Sequence, residues 1–118
     1  MTEKRIYLAG PYTHASAEVR QARFEALTAE AARLMALGHQ VYSPITHGHV
    51  IAQAGKLPTS WPYWADTCKG FVIDWAEALA VLMLDGWRTS TGVSAEIRLA
   101  RAFAKTVYHL QPREGGTS

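Results

Sequence analysis

Leu79-Ala80-Val81-Leu82-Met83-Leu84, closed by Asp85-Gly86, is the stretch on which the fold turns. Six apolar residues run without alternation. A strand with one wet face would alternate, so this one is expected to be covered on both faces, as in the middle of a parallel sheet. It is too short for a core helix, and Asp-Gly stops it. Working outward, Ile6-Tyr7-Leu8-Ala9 before Gly10-Pro11 reads as another buried strand. Residues 39–43, stopped by Pro44, and residues 106–110 read as two more. Between them lie helical stretches over 15–37, 61–77 and 92–104. Phe24, Leu27, Ala31 and Leu34 step by three and four along the first, so they share one face. Gly38 stands where a left-handed cap is expected, and Pro62 is tolerated in the first turn after Ser60. Residues 45–59 have no period and read as a long loop with one turn of helix at most.

Strands alternating with helices imply parallel strands and right-handed crossovers. The expected fold is α/β: a flavodoxin-like, Rossmann-like three-layer sandwich on a small parallel sheet of four to five strands. One domain is expected over residues 1–110, with a flexible tail over 111–118. In such sheets ligands bind beyond the carboxyl ends of the strands, where strand order reverses. Three segments meet there: Gly10-Pro11-Tyr12-Thr13-His14, Ser43-Pro44 onward, and residues 85–92.

Composition narrows the function classes. The chain has 118 residues, 12 Lys+Arg and 10 Asp+Glu, with the charges interspersed and a net charge of +2. That is no footprint for polymeric nucleic acid. The single cysteine, Cys68, excludes an internal disulfide framework and a Cys-based zinc site. No apolar run is long enough to span a membrane. The polar start, residues 1–5, does not read as a signal peptide, so the cytoplasm is the expected address.

The densest chemical signal is Asp85-Gly86-Trp87-Arg88-Thr89-Ser90-Thr91-Gly92-Val93-Ser94-Ala95-Glu96. A strand ends, small residues follow, and a helix opens with a carboxylate expected in its first turn. Free N–H groups at that helix start, with the Ser90 and Thr91 hydroxyls, suit a phosphate or another anion. The helix dipole is expected to hold Glu96 ionised. An ionised carboxylate at a cleft floor can attack a sugar carbon with oxocarbenium character. The plain alternative is a surface Glu that complements its helix dipole. A capping box is not available, because Val93 occupies the position where Ser or Thr is required. Gly-x-Gly-x-x-Gly and the P-loop pattern are both absent, so no dinucleotide or nucleoside-triphosphate fingerprint is present. His47-Gly48-His49 lacks a third metal ligand, and His49 reads better as a loop residue touching a ligand. Trp61 and Trp64 fit a core or a subunit interface, while Trp87 in the cleft loop could stack on a base or sugar. Asp74 is either a cleft carboxylate or a solvated helical residue.

Ile6-Tyr7-Leu8-Ala9-Gly10-Pro11-Tyr12 resembles the opening of the nucleoside 2-deoxyribosyltransferase-like superfamily. Asp85-Gly86-Trp87, then Ser90-x-Gly92-x-x-x-Glu96, resembles its catalytic segment, and the resemblance runs from residue 6 to about 110. It implies a flavodoxin-like fold and cleavage of the N-glycosidic bond of nucleosides or nucleoside monophosphates. By position it makes Glu96 the nucleophile at C1′ and Tyr7 its orienting partner. Asp74, or else Asp66, becomes the aid to the leaving base. Gly10, Pro11, Tyr12, His49, Gly86, Trp87, Ser90 and Gly92 become the substrate-binding set. The transferases have Asp where Ser90 stands, and the nucleotide-hydrolysing branch has Ser there for a 5′-phosphate. A hydroxyl and helix N–H groups accept a phosphate dianion that an Asp would repel. The Gly-rich phosphate loop of that branch is missing after the first strand, where Tyr12-Thr13-His14-Ala15-Ser16 stands and Arg20 could assist.

The expectation is therefore an enzyme, an N-glycosidase or 2-deoxyribosyltransferase, needing no metal or other cofactor. Its partner is a small nucleotide or nucleoside. A homodimer or larger homo-oligomer would cover the sheet edges. The competing class is a nucleotide-binding or sensor module without turnover.

Overall fold

The computed structural model describes residues 1–113; the expected tail falls mostly outside them. The elements are β1 (Arg5–Ala9), α1 (Ala17–Ala36), β2 (Gln40–Tyr42), α2 (Pro44–Gly55), α3 (Trp61–Gly70), a π-helical turn (Phe71–Trp75), β3 (Ala78–Leu82), α4 (Thr91–Ala102) and β4 (Thr106–Leu110). All four strands are parallel, in the order β2-β1-β3-β4. Tyr7 pairs with Tyr42 on one side and with Leu79 on the other. The chain leaves β1 toward β2, then crosses to the far side for β3 and β4. The order therefore reverses between β1 and β3, and a crevice opens there.

The two central strands are dry on both faces, as their unbroken apolar runs require. Ile6, Leu8, Ala78, Ala80 and Leu82 pack on Leu27, Ala31 and Leu34 of α1. Tyr7, Ala9, Leu79 and Val81 pack on Cys68, Val72, Ala76, Val93 and Ala100 from the opposite helices. The result is a flavodoxin-like three-layer α/β sandwich. Among the described residues, no helix is long and apolar enough to cross a membrane.

Three helix starts carry caps that the sequence supports. Ser16, Ser43 and Ser90 each accept a backbone N–H three residues on. Gly38 is left-handed at φ 103°, just beyond α1. Two expectations are corrected. Residues 45–59 are not a loop: α2 fills most of them. Its buried positions are Pro44, Gly48, His49 and Ala52, a helical spacing made of small and polar residues, while Val50 and Ile51 face outward. No large apolar residue stands at that spacing, so the sequence shows no helical face there. The helix expected over 61–77 is likewise not uniform, because it widens into a π turn after Gly70. Such a turn shifts side-chain phase by a residue and is frequent beside functional sites.

Candidate active site

The crevice at the β1/β3 reversal is a cleft of about 630 Å³, counted out to open solvent. Three layers of chain build it. Gly10, Tyr12 and Thr13 follow β1; α2 and the start of α3 form one wall; Ser90, Gly92 and Glu96 come from α4.

Glu96 lies at the floor, only 4% exposed. It is the sixth residue of α4, not part of its first turn, which contains no acidic residue. The helix start at Thr91 places Glu96 in the second turn, beyond the strongest influence of the helix terminus. Tyr7 is fully buried on β1 and donates its hydroxyl to Glu96 Oε2. Among the described residues, no cation reaches the carboxylate. Burial pushes Glu96 up to about 8, and the Tyr7 hydrogen bond offsets only part of that rise. The expected ionised state is therefore corrected: at neutral pH the free protein holds Glu96 mainly protonated. Desolvation outweighs the distant dipole. Burial also raises Tyr7 well above the usual phenol range. It raises the adjoining Cys68 thiol to about 11, so Cys68 is no ready thiolate.

Ser90 is the cap of α4. Its Oγ accepts from Val93 N at 3.2 Å, so the hydroxyl proton is left to donate into the cleft it lines. Gly92 lies against Trp61, where a Cβ would approach the ring to 3.1 Å. Gly48 lies beneath Trp64, and Trp64 Nε1 donates to Pro58 O at 2.8 Å. The two tryptophans are thus cleft walls rather than core or interface alone. Tyr42 also lines the cleft and stacks on Phe71 at 3.7 Å. Their roles are invisible in sequence, although a glycine opposite each indole is the trace that could have suggested them.

His49, expected on a loop, is buried on α2 and lines the cleft. Its ring stacks on Phe24 at 4.2 Å. Tyr12 Oη and His49 Nδ1 are 2.6 Å apart. Burial and nearby Arg20 lower the His49 pKa.

Other expected residues lie elsewhere. Asp74, on the π turn, and Asp66, on α3, are both exposed and do not line the cleft. The inward face from α3 onward is Ala65, Cys68, Val72 and Ala76, and neither Asp falls on it. Pro11 is buried but is not a cleft wall. Gly86 is left-handed at φ 90° and abuts Arg23, whose guanidinium donates to Asp85 O at 2.9 Å and Thr13 O at 3.2 Å. It shapes the loop instead of lining the cleft. Trp87 packs toward His109 at 5.4 Å, under Arg88, not into the cleft. Among the described residues, no three His, Cys, Asp or Glu side chains gather as a metal site. His47 is exposed while His49 is buried, since residues two apart on a helix do not face one another.

A family model described as a domain of unknown function matches residues 4–111. The chain belongs to the DUF1937 family. No curated protein matches it. The match spans every strand and helix of the fold, so the whole cleft, from Tyr7 to Glu96, lies inside the DUF1937 domain.

Proposed function

We propose that this protein cleaves the N-glycosidic bond of a nucleoside 5′-monophosphate or nucleoside through Glu96, as a hydrolase or 2-deoxyribosyltransferase of the superfamily its motifs resemble. One observation carries the reading: a buried carboxylate, without a cation among the described residues and held by a buried phenol, at the floor of the switch-point cleft. A perturbed acid in a cleft is a functional-site signature. The ionised Glu96 attacks C1′, and the base leaves with the C1′–N electron pair. Tyr7 orients the carboxylate, and an incoming water or base later resolves the glycosyl ester. The developing positive charge on the sugar favours the anion that burial disfavours. The Ser90 hydroxyl and the N–H groups opening α4 support a 5′-phosphate. So does Arg20, which borders an adjoining hollow with Tyr12 and His49. We place the protein in the cytoplasm and expect a homo-oligomer, because Val50, Ile51 and Tyr63 are exposed on α2 and α3.

A second reading, binding without turnover, draws on the raised Glu96 pKa, since a neutral acid is a poor nucleophile. One experiment separates the two. The protein is incubated with 2′-deoxynucleosides and their 5′-monophosphates, and free base is followed by chromatography. Base release that climbs with pH toward about 8 and vanishes in Glu96→Ala is expected. Thermal stabilisation by a nucleotide with no base released favours the binding module.

A further inference from the structure

A directed chain of hydrogen bonds runs from the cleft to the surface, and its polarity can be read from its outer end. Glu25 is exposed and its carboxylate accepts from Gln21 Nε2 at 3.1 Å. That orients the Gln21 amide, so its Oε1 faces His49 Nε2 at 2.9 Å. Oε1 can only accept, hence His49 carries its proton on Nε2. His49 Nδ1 is then the acceptor, and Tyr12 Oη, 2.6 Å away, is the donor. The imidazole is locked between Phe24 and Tyr12, and both Tyr12 and His49 line the cleft that holds Glu96. Every link points its acceptor inward, so the chain is set to receive a proton from the cleft. Burial and Arg20 keep the imidazole neutral and able to accept it. A cation formed there would be eased by Glu25 through the Gln21 amide.

We propose that Tyr12 and His49 form the proton acceptor that activates water in the second half of the reaction, which makes the protein a hydrolase. This rests on the Glu96 reading given above. In the first half the base leaves with the C1′–N pair and takes a proton from solvent. In the second, the water oxygen bonds to C1′ and the C1′–Oε bond of the Glu96 ester breaks, its pair returning to the carboxylate. The water proton passes to Tyr12 Oη as the Tyr12 proton passes to His49 Nδ1. The imidazolium then returns its proton to solvent. Tyr12 takes the proton of the attacking water, and His49 acts through Tyr12.

The test is rapid-quench measurement of base release from the 2′-deoxynucleoside 5′-monophosphates, with intact-mass analysis of the protein. A glutamine at 49 can still accept from Tyr12 but cannot take its proton. In His49→Gln a burst stoichiometric with protein is expected to persist, steady turnover to fall about a hundredfold, and a glycosyl adduct to accumulate. Azide, a nucleophile with no proton to lose, is expected to clear the adduct. Tyr12→Phe is expected to give the same burst and slow turnover, and carries the test if His49→Gln does not fold. Burst and turnover lost together in a folded variant, or turnover left unchanged, overturns the relay while leaving Glu96 in place. Wild-type protein that releases no base overturns the Glu96 reading, and the relay with it.

Discussion

Two carboxylates in this protein are equally hidden, Glu30 on α1 and Glu96 on α4, each 4% exposed. Their surroundings differ in partner and in access to a cleft. Glu30 is met by the Arg33 guanidinium at 2.5 and 3.1 Å, one turn along the same helix. Glu96 is met by a phenol and, among the described residues, by no cation. A local ion pair compensates the burial of Glu30, which lines neither described cleft. The charge on Glu96 has no such compensation, and its cost shows as a pKa of about 8. Burial alone does not mark a functional carboxylate. Burial with the partner left out, at the edge of a hollow, is the more telling pattern.

Activity separates the two carboxylates most widely. Glu96→Gln is expected to reduce base release by at least about a thousandfold, whereas Arg33→Met, which strands Glu30, is expected to leave the rate within about twofold, because neither Arg33 nor Glu30 lines the cleft. Loss of activity in the Arg33 variant, measured by the same chromatography, would erase the distinction. Next in size is Tyr7→Phe. Without the phenol donor the Glu96 carboxylate loses the hydrogen bond that holds its pKa down, so its pKa rises further. The rate is expected to drop about tenfold to a hundredfold near neutrality, with the rising limb displaced to higher pH.

Stability sharpens the contrast. The folded state holds a proton on Glu96 above the ordinary carboxylate range, up to about 8. The unfolded state has already released it there, so folding stability from this group is full in acid and lost as pH rises through about 8. Glu96→Gln removes that dependence. Its unfolding free energy relative to wild type is expected to be lower or equal near pH ~5 and higher near pH ~9, a swing on the order of a few kcal/mol that the melting temperatures follow. A parallel pair of melting curves across that range would refute the raised pKa. The smallest effect belongs to Arg33→Met, expected to destabilise the fold by about 1–3 kcal/mol at neutral pH, in chemical denaturation, by leaving Glu30 buried without its donor.

Much of the architecture was legible because its signals are local. The dry runs at Ile6–Ala9 and Leu79–Leu82, the stop at Gly10-Pro11, the serine caps and Gly38 each reflect a constraint on a few neighbouring residues. Those runs and their spacing determined a parallel sheet with helices on both faces, and with it where a cleft must open. Ser90, Gly92 and Glu96 were placed near that opening by the same reasoning. What was not legible depends on partners far along the chain. The inward face of α2 is built from Pro44, Gly48, His49 and Ala52, which make a face only because Trp64 and Phe24 come to lie against them. Asp74 lies out in solvent because the inward face after α3 runs through Val72 and Ala76. The protonation of Glu96 was decided by how completely β1 and α4 exclude water from it, with Tyr7 arriving from 89 residues away. Local sequence specifies where the backbone turns and which faces are dry. Desolvation is a property of the closed structure, so the chemistry of a buried group is settled only when distant segments pack.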